Sequence, residues 1–383
     1  MTPASCAAAP LGGCVLTVSE TTTTPPTFSS SCNNHLVAFL RMSQQALPRQ
    51  TFNAPEKERP AALKLEAKPE SLLQGRVSEV PDALFGWTMR LCGLAVVALL
   101  GMIVWELVAR SQLSWHAFGW KFFVNSDWNP VEEQFGALPF IYGTLVSSLL
   151  SLVIAIPLAV GVAVFITEMC PVALRAILSF TTELLAAIPS VIYGLWAIFV
   201  LVPLLRAYVQ PFLSTTLGWT GLFTGPPYGI GMLAAGVILA IMIIPIISSI
   251  TREVLTVVPQ HQREAVLALG ATRWEMIRMG VLRNARAGIV GGVILGLGRA
   301  LGETMAVTMV IGNRPEIAKS LFAPGYTMAS VLANEFTEAT GDTYLSALVE
   351  IGLALFLVTI VVNALARLMV WSVTRGLPAR NVA

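Results

Sequence analysis

The chain has 383 residues, of which 55% are hydrophobic and only 12% are charged, and its mean hydropathy is +0.72. Because a soluble domain carries about twice that share of charged residues, this composition excludes an ordinary soluble enzyme and predicts a polytopic membrane protein. The net charge of +2 gives no indication of nucleic-acid binding, and the five cysteines lack the spacing of a zinc site or a disulfide framework.

Residues 1–84 differ in composition from the rest of the chain. Residues 17–31 are rich in Thr, Ser and Pro, and residues 53–76 are polar and charged. Such segments bury too little apolar surface to offset chain entropy, so we predict a disordered cytoplasmic N-terminal extension over 1–84. The first basic residue is Arg41, which argues against an ordinary signal peptide, and Met42 is a second possible start.

Six apolar stretches follow, each long enough for a bilayer core, which takes about 20 residues per helix. They cover residues 91–109, 138–166, 177–205, 229–250, 285–311 and 345–371. The sequence therefore predicts an all-α membrane protein with six transmembrane helices. Residues 85–136 are predicted to hold the first helix and an outer loop, and residues 137–375 to form the main core.

Basic residues alternate from loop to loop and predict the orientation. The 251–284 loop carries five arginines, and the segment before the first helix is also basic, whereas the loops at 110–137 and 312–344 have more acidic than basic residues. Since positive charge is retained on the cytoplasmic side, we expect both termini in the cytoplasm.

The 259–284 loop has the local signals of two short helices. Pro259 suits a first helical turn, and Gly270 can end that helix in the left-handed conformation. Thr272 and Glu275 form a Thr-x-x-Glu capping box for the second helix. Spacing alone leaves two interpretations open: an ordinary solvated loop or a docking element for a cytoplasmic partner.

Within this loop, EAVLALG resembles the EAA loop of ABC-importer permeases. It keeps Glu264, Ala265 and Gly270, and it departs from the family pattern at three positions, which are Val266, Gly280 and Arg283. Three other stretches resemble the phosphate-specific permease subunits of Pst importers, of the C type. They are FGALPFIYGTL (135–145), AAIPSVIYGLW (186–196) and GRALGETMAV (298–307).

This resemblance implies a type I ABC-importer permease core over 137–375, with a cytoplasmic coupling loop at 259–284. It implies that the chain moves inorganic phosphate across a bacterial inner membrane. The implied partners are a homologous second permease, two cytoplasmic ATPase subunits that dock on Glu264, Ala265 and Gly270, and a periplasmic phosphate-binding protein. Membrane lipid surrounds such a subunit, no cofactor is expected in this chain, and the resemblance implies no catalytic role of its own.

An independent observation agrees with a separate energy source. None of the five lysines follows a glycine, so a Gly-Lys-Ser/Thr phosphate loop is absent from the sequence. The three histidines lie far apart along the chain and suggest no Ser-His-Asp or Cys-His arrangement. Energy would then come from a partner ATPase or from an ion gradient.

Arg299 and Glu303 lie inside the fifth apolar stretch, where charge is costly. Their spacing of four predicts one helix face, and the small residues around them favour close helix packing. Two interpretations remain: a structural ion pair, or a substrate pathway in which Arg299 contacts phosphate through its planar guanidinium and Glu303 prevents it from becoming a trap.

Other candidates in the apolar stretches are weaker. Glu106, Glu183 and Glu350 are acids that could serve the pathway, and Pro189 with Ser190 could either break a helix or kink it. Rival functions are a permease for sulfate or molybdate, an ion-coupled carrier or anion channel, and a membrane subunit for assembly or signalling without transport.

Overall fold

The computed structural model describes residues 79–374, which are almost entirely helical. No β-strand occurs within that range, apart from an isolated bridge between Asn129 and Gln134. The segments, numbered in chain order, are α1 Glu79–Arg110, α2 Gln112–Phe118, α3 Leu138–Met169, α4 Val172–Ala187, α5 Ser190–Thr220, α6 Met232–Val257, α7 Gln260–Ala268, α8 Arg273–Leu301, α9 Met305–Val310, α10 Met328–Glu335 and α11 Asp342–Thr374.

Six of the described helices are long and apolar enough to cross a membrane, which confirms the predicted number of spans. They are α1, α3, α5, α6, α8 and α11. The first begins at Glu79, inside the segment predicted to be disordered, and the rest of that segment lies outside the described residues. The most hydrophobic part of α1 has no buried residue, as expected of a helix that faces lipid.

The core is built on close packing of α3 against α6. Ala155 and Ala159 of α3 meet Ala240 and Ile243 of α6, and all four are fully or almost fully buried. One turn further along α6, Gly296 of α8 lies directly against Ile247. Small side chains let helices approach closely in a bilayer, where dispersion contacts rather than the hydrophobic effect hold them together.

The third predicted stretch, 177–205, is interrupted rather than continuous. The helix α4 ends at Ala187, and Ile188 and Pro189 are extended, with ψ values of 129° and 140°. A residue before proline is driven out of the α region, and proline itself lacks an N–H for the helix, so the chain breaks there. The next helix, α5, begins at Ser190 and continues to Thr220.

The fifth predicted stretch, 285–311, is also wrong as a single helix. The segment α8 begins earlier, at Arg273, passes through π-helical turns and ends at Leu301. Residues 302–304 are not helical, and α9 begins at Met305. Gly302 occupies the C-terminal cap of α8, where a poor helix former ends the helix at little cost.

Candidate transport site and the 259–284 loop

Both charged residues that the sequence singles out lie at the break between α8 and α9. Arg299 lies in the last turn of α8, and Glu303 lies in the non-helical segment beyond it. The shared helix face that the spacing predicts is therefore absent, because the helix ends between the two residues. They still approach each other: Nη2 of Arg299 is 3.8 Å from Oε2 of Glu303, an ion pair that is too long for a hydrogen bond.

The two charges differ sharply in exposure. The side chain of Glu303 is only 6% exposed, and its other oxygen, Oε1, accepts a long hydrogen bond of 3.4 Å from the N–H of Ala306 in α9. The side chain of Arg299 is 42% exposed in this single chain. Glu303 is thus held by the protein, whereas the guanidinium of Arg299 is partly exposed and keeps N–H donors that the 3.8 Å pair does not use.

A second helix break faces this one. Gly194, in the first turns of α5, packs against the backbone of Ala306 and the sulfur of Met309, both in or beside α9. The neighbouring Tyr193 lies close enough to Arg299 to interact with its charge, and its hydroxyl donates to the carbonyl of Leu185 at 2.8 Å. The start of α5 and the start of α9 therefore meet beside Arg299.

The three weaker acidic candidates lie apart from this site and in different surroundings. Glu106 pairs with Arg110 on the exposed surface of α1, and Glu183 pairs with Arg252, which joins α4 to the end of α6; both distances are 2.5 Å. Glu350 is fully buried in α11, where the Ser114 hydroxyl of α2 lies within reach of its carboxyl group.

The helix-end signals predicted for the 259–284 loop are confirmed in its local geometry. Pro259 caps α7, which spans Gln260–Ala268, and Gly270 follows with a φ of +83°. The Thr272 hydroxyl accepts from the N–H of Glu275, and the Glu275 carboxylate accepts from the N–H of Thr272, so the capping box is complete. Docking on this loop is not tested by these contacts.

The helix α7 is fixed to three membrane helices through one of its sides. Arg263 donates from Nη2 to the carbonyl of Leu255 in α6 at 2.8 Å, and the same nitrogen lies 3.1 Å from Oε1 of Glu168 in α3. Asn284 of α8 donates to Gln262 at 2.9 Å. The carboxylate of Glu168 is only 6% exposed, so the ion pair is largely shielded from solvent. Sequence reasoning missed it, because no local pattern joins residues 168 and 263.

The opposite side of the loop is open. Glu264, Ala265 and Gly270 are all exposed, and Glu264 accepts a hydrogen bond of 2.9 Å from Gln260. Exposed apolar side chains surround them, with Leu269 89% and Trp274 62% exposed. A groove of about 640 Å³ runs between α7 and the start of α8. Apolar surface of this kind is typical of an interaction site.

Comparisons with known proteins agree with this architecture. Residues 155–375 match the family of binding-protein-dependent transport system inner membrane components. A phosphate transport system permease protein PstC of Mesorhizobium japonicum is 50% identical over 75% of this chain and 89% of its own length. A protein of the same name from Pasteurella multocida is 46% identical over 77% of this chain and 93% of its own length.

The solved structures show the fold. A chain of a bacterial ABC transporter involved in the import of the acidic polysaccharide alginate superimposes with a TM-score of 0.53 at 17% identity, covering 77% of this chain and 99% of that one. The helical fold is that of an ABC-transporter permease. The family match over more than half of the chain, with the identities above, shows that the chain belongs to the binding-protein-dependent transport system inner membrane components and, among them, to the PstC permeases.

Proposed function

We propose that the chain is the permease subunit of an ATP-driven importer of inorganic phosphate in a bacterial inner membrane. The observation that carries this proposal is the 50% identity to a phosphate permease over three quarters of the chain. It favours phosphate over sulfate and molybdate. The six spans and the family's inner-membrane location support a multi-pass subunit, which we orient with both termini in the cytoplasm because the 251–284 loop is rich in arginine.

Arg299 is proposed to contact phosphate as the anion passes. Its guanidinium is partly exposed beside two interrupted helices, and irregular backbone at membrane depth is tolerated where it is buried in protein or lines a cavity. A planar guanidinium offers bidentate, charge-assisted hydrogen bonds to phosphate oxygens. Glu303, at 3.8 Å, supplies the opposing charge that keeps binding weak enough for release.

The exposed side of α7 is proposed to dock on a cytoplasmic ATPase subunit through Glu264, Ala265 and Gly270. Support comes from the apolar surface that Leu269 and Trp274 leave open beside these residues. In this assembly a homologous permease completes the pathway, two ATPase subunits hydrolyse ATP, and a periplasmic phosphate-binding protein delivers the substrate. The chain itself is a transport subunit.

Purification in mild detergent followed by reconstitution into proteoliposomes tests this function. We expect an ATPase and a second permease to co-purify, and we expect phosphate uptake that needs ATP and the binding protein and that excess sulfate or molybdate leaves unchanged. Uptake driven by an ion gradient without ATP would identify an ion-coupled carrier instead. Co-purification without uptake of any oxyanion would indicate a signalling or assembly subunit.

A further inference from the structure

The last membrane helix has a regular polar stripe that the site described above does not use. Between residues 351 and 371 of α11 every residue is apolar or glycine except Thr359, Asn363 and Arg367. They are four residues apart, so they lie on one face of the helix and extend about 12 Å along its axis. Three polar side chains confined to one face of an apolar helix indicate that this face avoids lipid.

The structure places this stripe in a groove between α8 and α11. The groove has a volume of about 600 Å³, and its α11 wall contains Thr359, Asn363 and Arg367. Its α8 wall contains Leu295 and Gly298. Leu295 and Arg299 are four residues apart on α8, so the groove opens on the face that also carries Arg299.

The guanidinium of Arg367 is free to bind an anion. It is exposed, and none of the ion pairs formed by the described residues includes it. An arginine in a spanning helix is costly unless it faces water or an anion. Asn363 is half-buried and adds two N–H donors. The Thr359 hydroxyl donates to the carbonyl of Leu355 at 2.7 Å, and its oxygen keeps lone pairs that can accept from a P–OH group.

We infer that this groove is a second phosphate subsite on the cytoplasmic side of Arg299, formed by Thr359, Asn363 and Arg367. The inference rests on the proposed function and extends it. An anion that leaves Arg299 meets donors one helical turn apart, so it exchanges partners in short steps instead of crossing bare hydrocarbon. The groove is open along one side in the single chain, and the second permease subunit would close it.

The rival occupant is an anionic phospholipid with its headgroup at Arg367. A bound lipid needs one polar end and an apolar length for its acyl chain. The rest of the lining is apolar and includes Phe356 and Ile360. Polar groups nevertheless recur along the groove as far as Thr359, deep in the span, which suits a moving ion better than an acyl chain alone. The tests below separate the two sources of phosphate.

The first test measures uptake of inorganic phosphate by the assembled importer in proteoliposomes. We expect Arg367→Gln to lower the maximal rate about tenfold, which is the rate equivalent of one lost hydrogen bond to a charged group. The half-saturating phosphate concentration should stay unchanged because capture occurs upstream. Arg367→Lys should recover part of the rate, and Asn363→Leu should lower it without removing charge. Arg90→Gln, another exposed arginine on a membrane helix, is the control.

Unchanged uptake in both Arg367→Gln and Asn363→Leu, with the complex intact, would overturn the inference. It would also be overturned if the wild type required phosphatidylglycerol vesicles and Arg367→Gln removed that requirement, since the site would then hold a lipid headgroup. Absence of phosphate uptake by the wild type is a different result, because it would refute the proposed function itself.

The second test asks whether the groove contains water, and it holds even where the rate variants assemble poorly. In a chain whose native cysteines are replaced by serine, Asn363→Cys should react with a negatively charged methanethiosulfonate reagent, and inorganic phosphate should slow the reaction. Leu365→Cys, on the exposed outer surface of α11, is the matched control and should stay unmodified. Equal lack of reaction at both positions would contradict the subsite.

Discussion

Neutralising the Arg299–Glu303 pair separates a pathway role from a packing role. Arg299→Gln keeps length and hydrogen bonding but removes the charge, and Glu303→Gln keeps an oxygen that can accept from the N–H of Ala306. The double substitution leaves no unpaired charge, which is what makes single changes in a buried pair costly. Arg299→Lys keeps the charge and loses the planar fork.

The geometry sets the size of each effect. Unit charges 3.8 Å apart attract by about 4 kcal/mol at an effective dielectric constant of about 20. Because Arg299 is 42% exposed, solvent screening reduces this to about 1 kcal/mol. A charge-assisted hydrogen bond to phosphate contributes about 1.5–3 kcal/mol, which corresponds to about 10- to 150-fold in rate. Loss of transport should therefore be the larger effect, while stability falls by only about 1 kcal/mol.

The assay is phosphate uptake by the reconstituted importer, normalised to inserted and assembled protein, with thermal unfolding measured in parallel. We expect Arg299→Gln and the double variant to be slowed equally, by about 10- to 150-fold, and Arg299→Lys to keep more of the activity. A double variant that transports at nearly the wild-type rate would refute the pathway role and leave the pair as a packing device.

Three further predictions concern other charged or special positions. Gly270→Val forces a β-branched residue into a left-handed conformation at a cost of about 1–3 kcal/mol, and Glu264→Lys reverses an exposed charge. Both variants should insert normally but bind the ATPase more weakly in co-purification. Unchanged ATPase binding and phosphate uptake would exclude docking on these residues. Glu168→Gln breaks a shielded ion pair and should lower the free energy of unfolding by about 3 kcal/mol. The exposed control Glu106→Gln should lower it by less than about 1 kcal/mol. Equal shifts in the unfolding temperature of the two variants would contradict a stabilising role for the shielded pair. Glu350→Gln replaces a fully buried carboxyl group beside the Ser114 hydroxyl and should raise the unfolding temperature at alkaline pH, because ionisation of a buried carboxyl group is costly. A lower unfolding temperature would show that the carboxyl group makes an essential contact.

The 259–284 loop was predictable in detail because its structure is local. A proline, a glycine and a Thr-x-x-Glu spacing act within a few residues, and the capping box and the left-handed Gly270 appear where the sequence places them. The number of spans was predictable for a similar reason, because each span is recognised from the apolar composition of about 20 consecutive residues.

The helix breaks and the long-range pair were not predictable in that way. Apolar composition is the same on both sides of Pro189 and of Gly302, so a hydropathy stretch runs through both breaks. Proline is also common as a mere kink in membrane helices. The contact between Arg263 and Glu168 depends on how α3 packs against α6, which no short motif encodes.

At the two helix breaks, between α4 and α5 and between α8 and α9, side chains form hydrogen bonds with backbone groups at the helix ends. Where α4 ends, the carbonyl of Leu185 accepts only a long bond of 3.4 Å from the N–H of Ile188, and the hydroxyl of Tyr193 also donates to it, at 2.8 Å. Where α9 begins, the carboxylate of Glu303 accepts from the N–H of Ala306. Backbone groups freed inside a bilayer must find such partners, so these bonds allow non-helical chain at membrane depth. Glu303 also pairs with Arg299, so the same carboxylate stabilises the break and opposes the charge of the guanidinium beside it. The local structure and the proposed phosphate contact therefore both depend on Glu303.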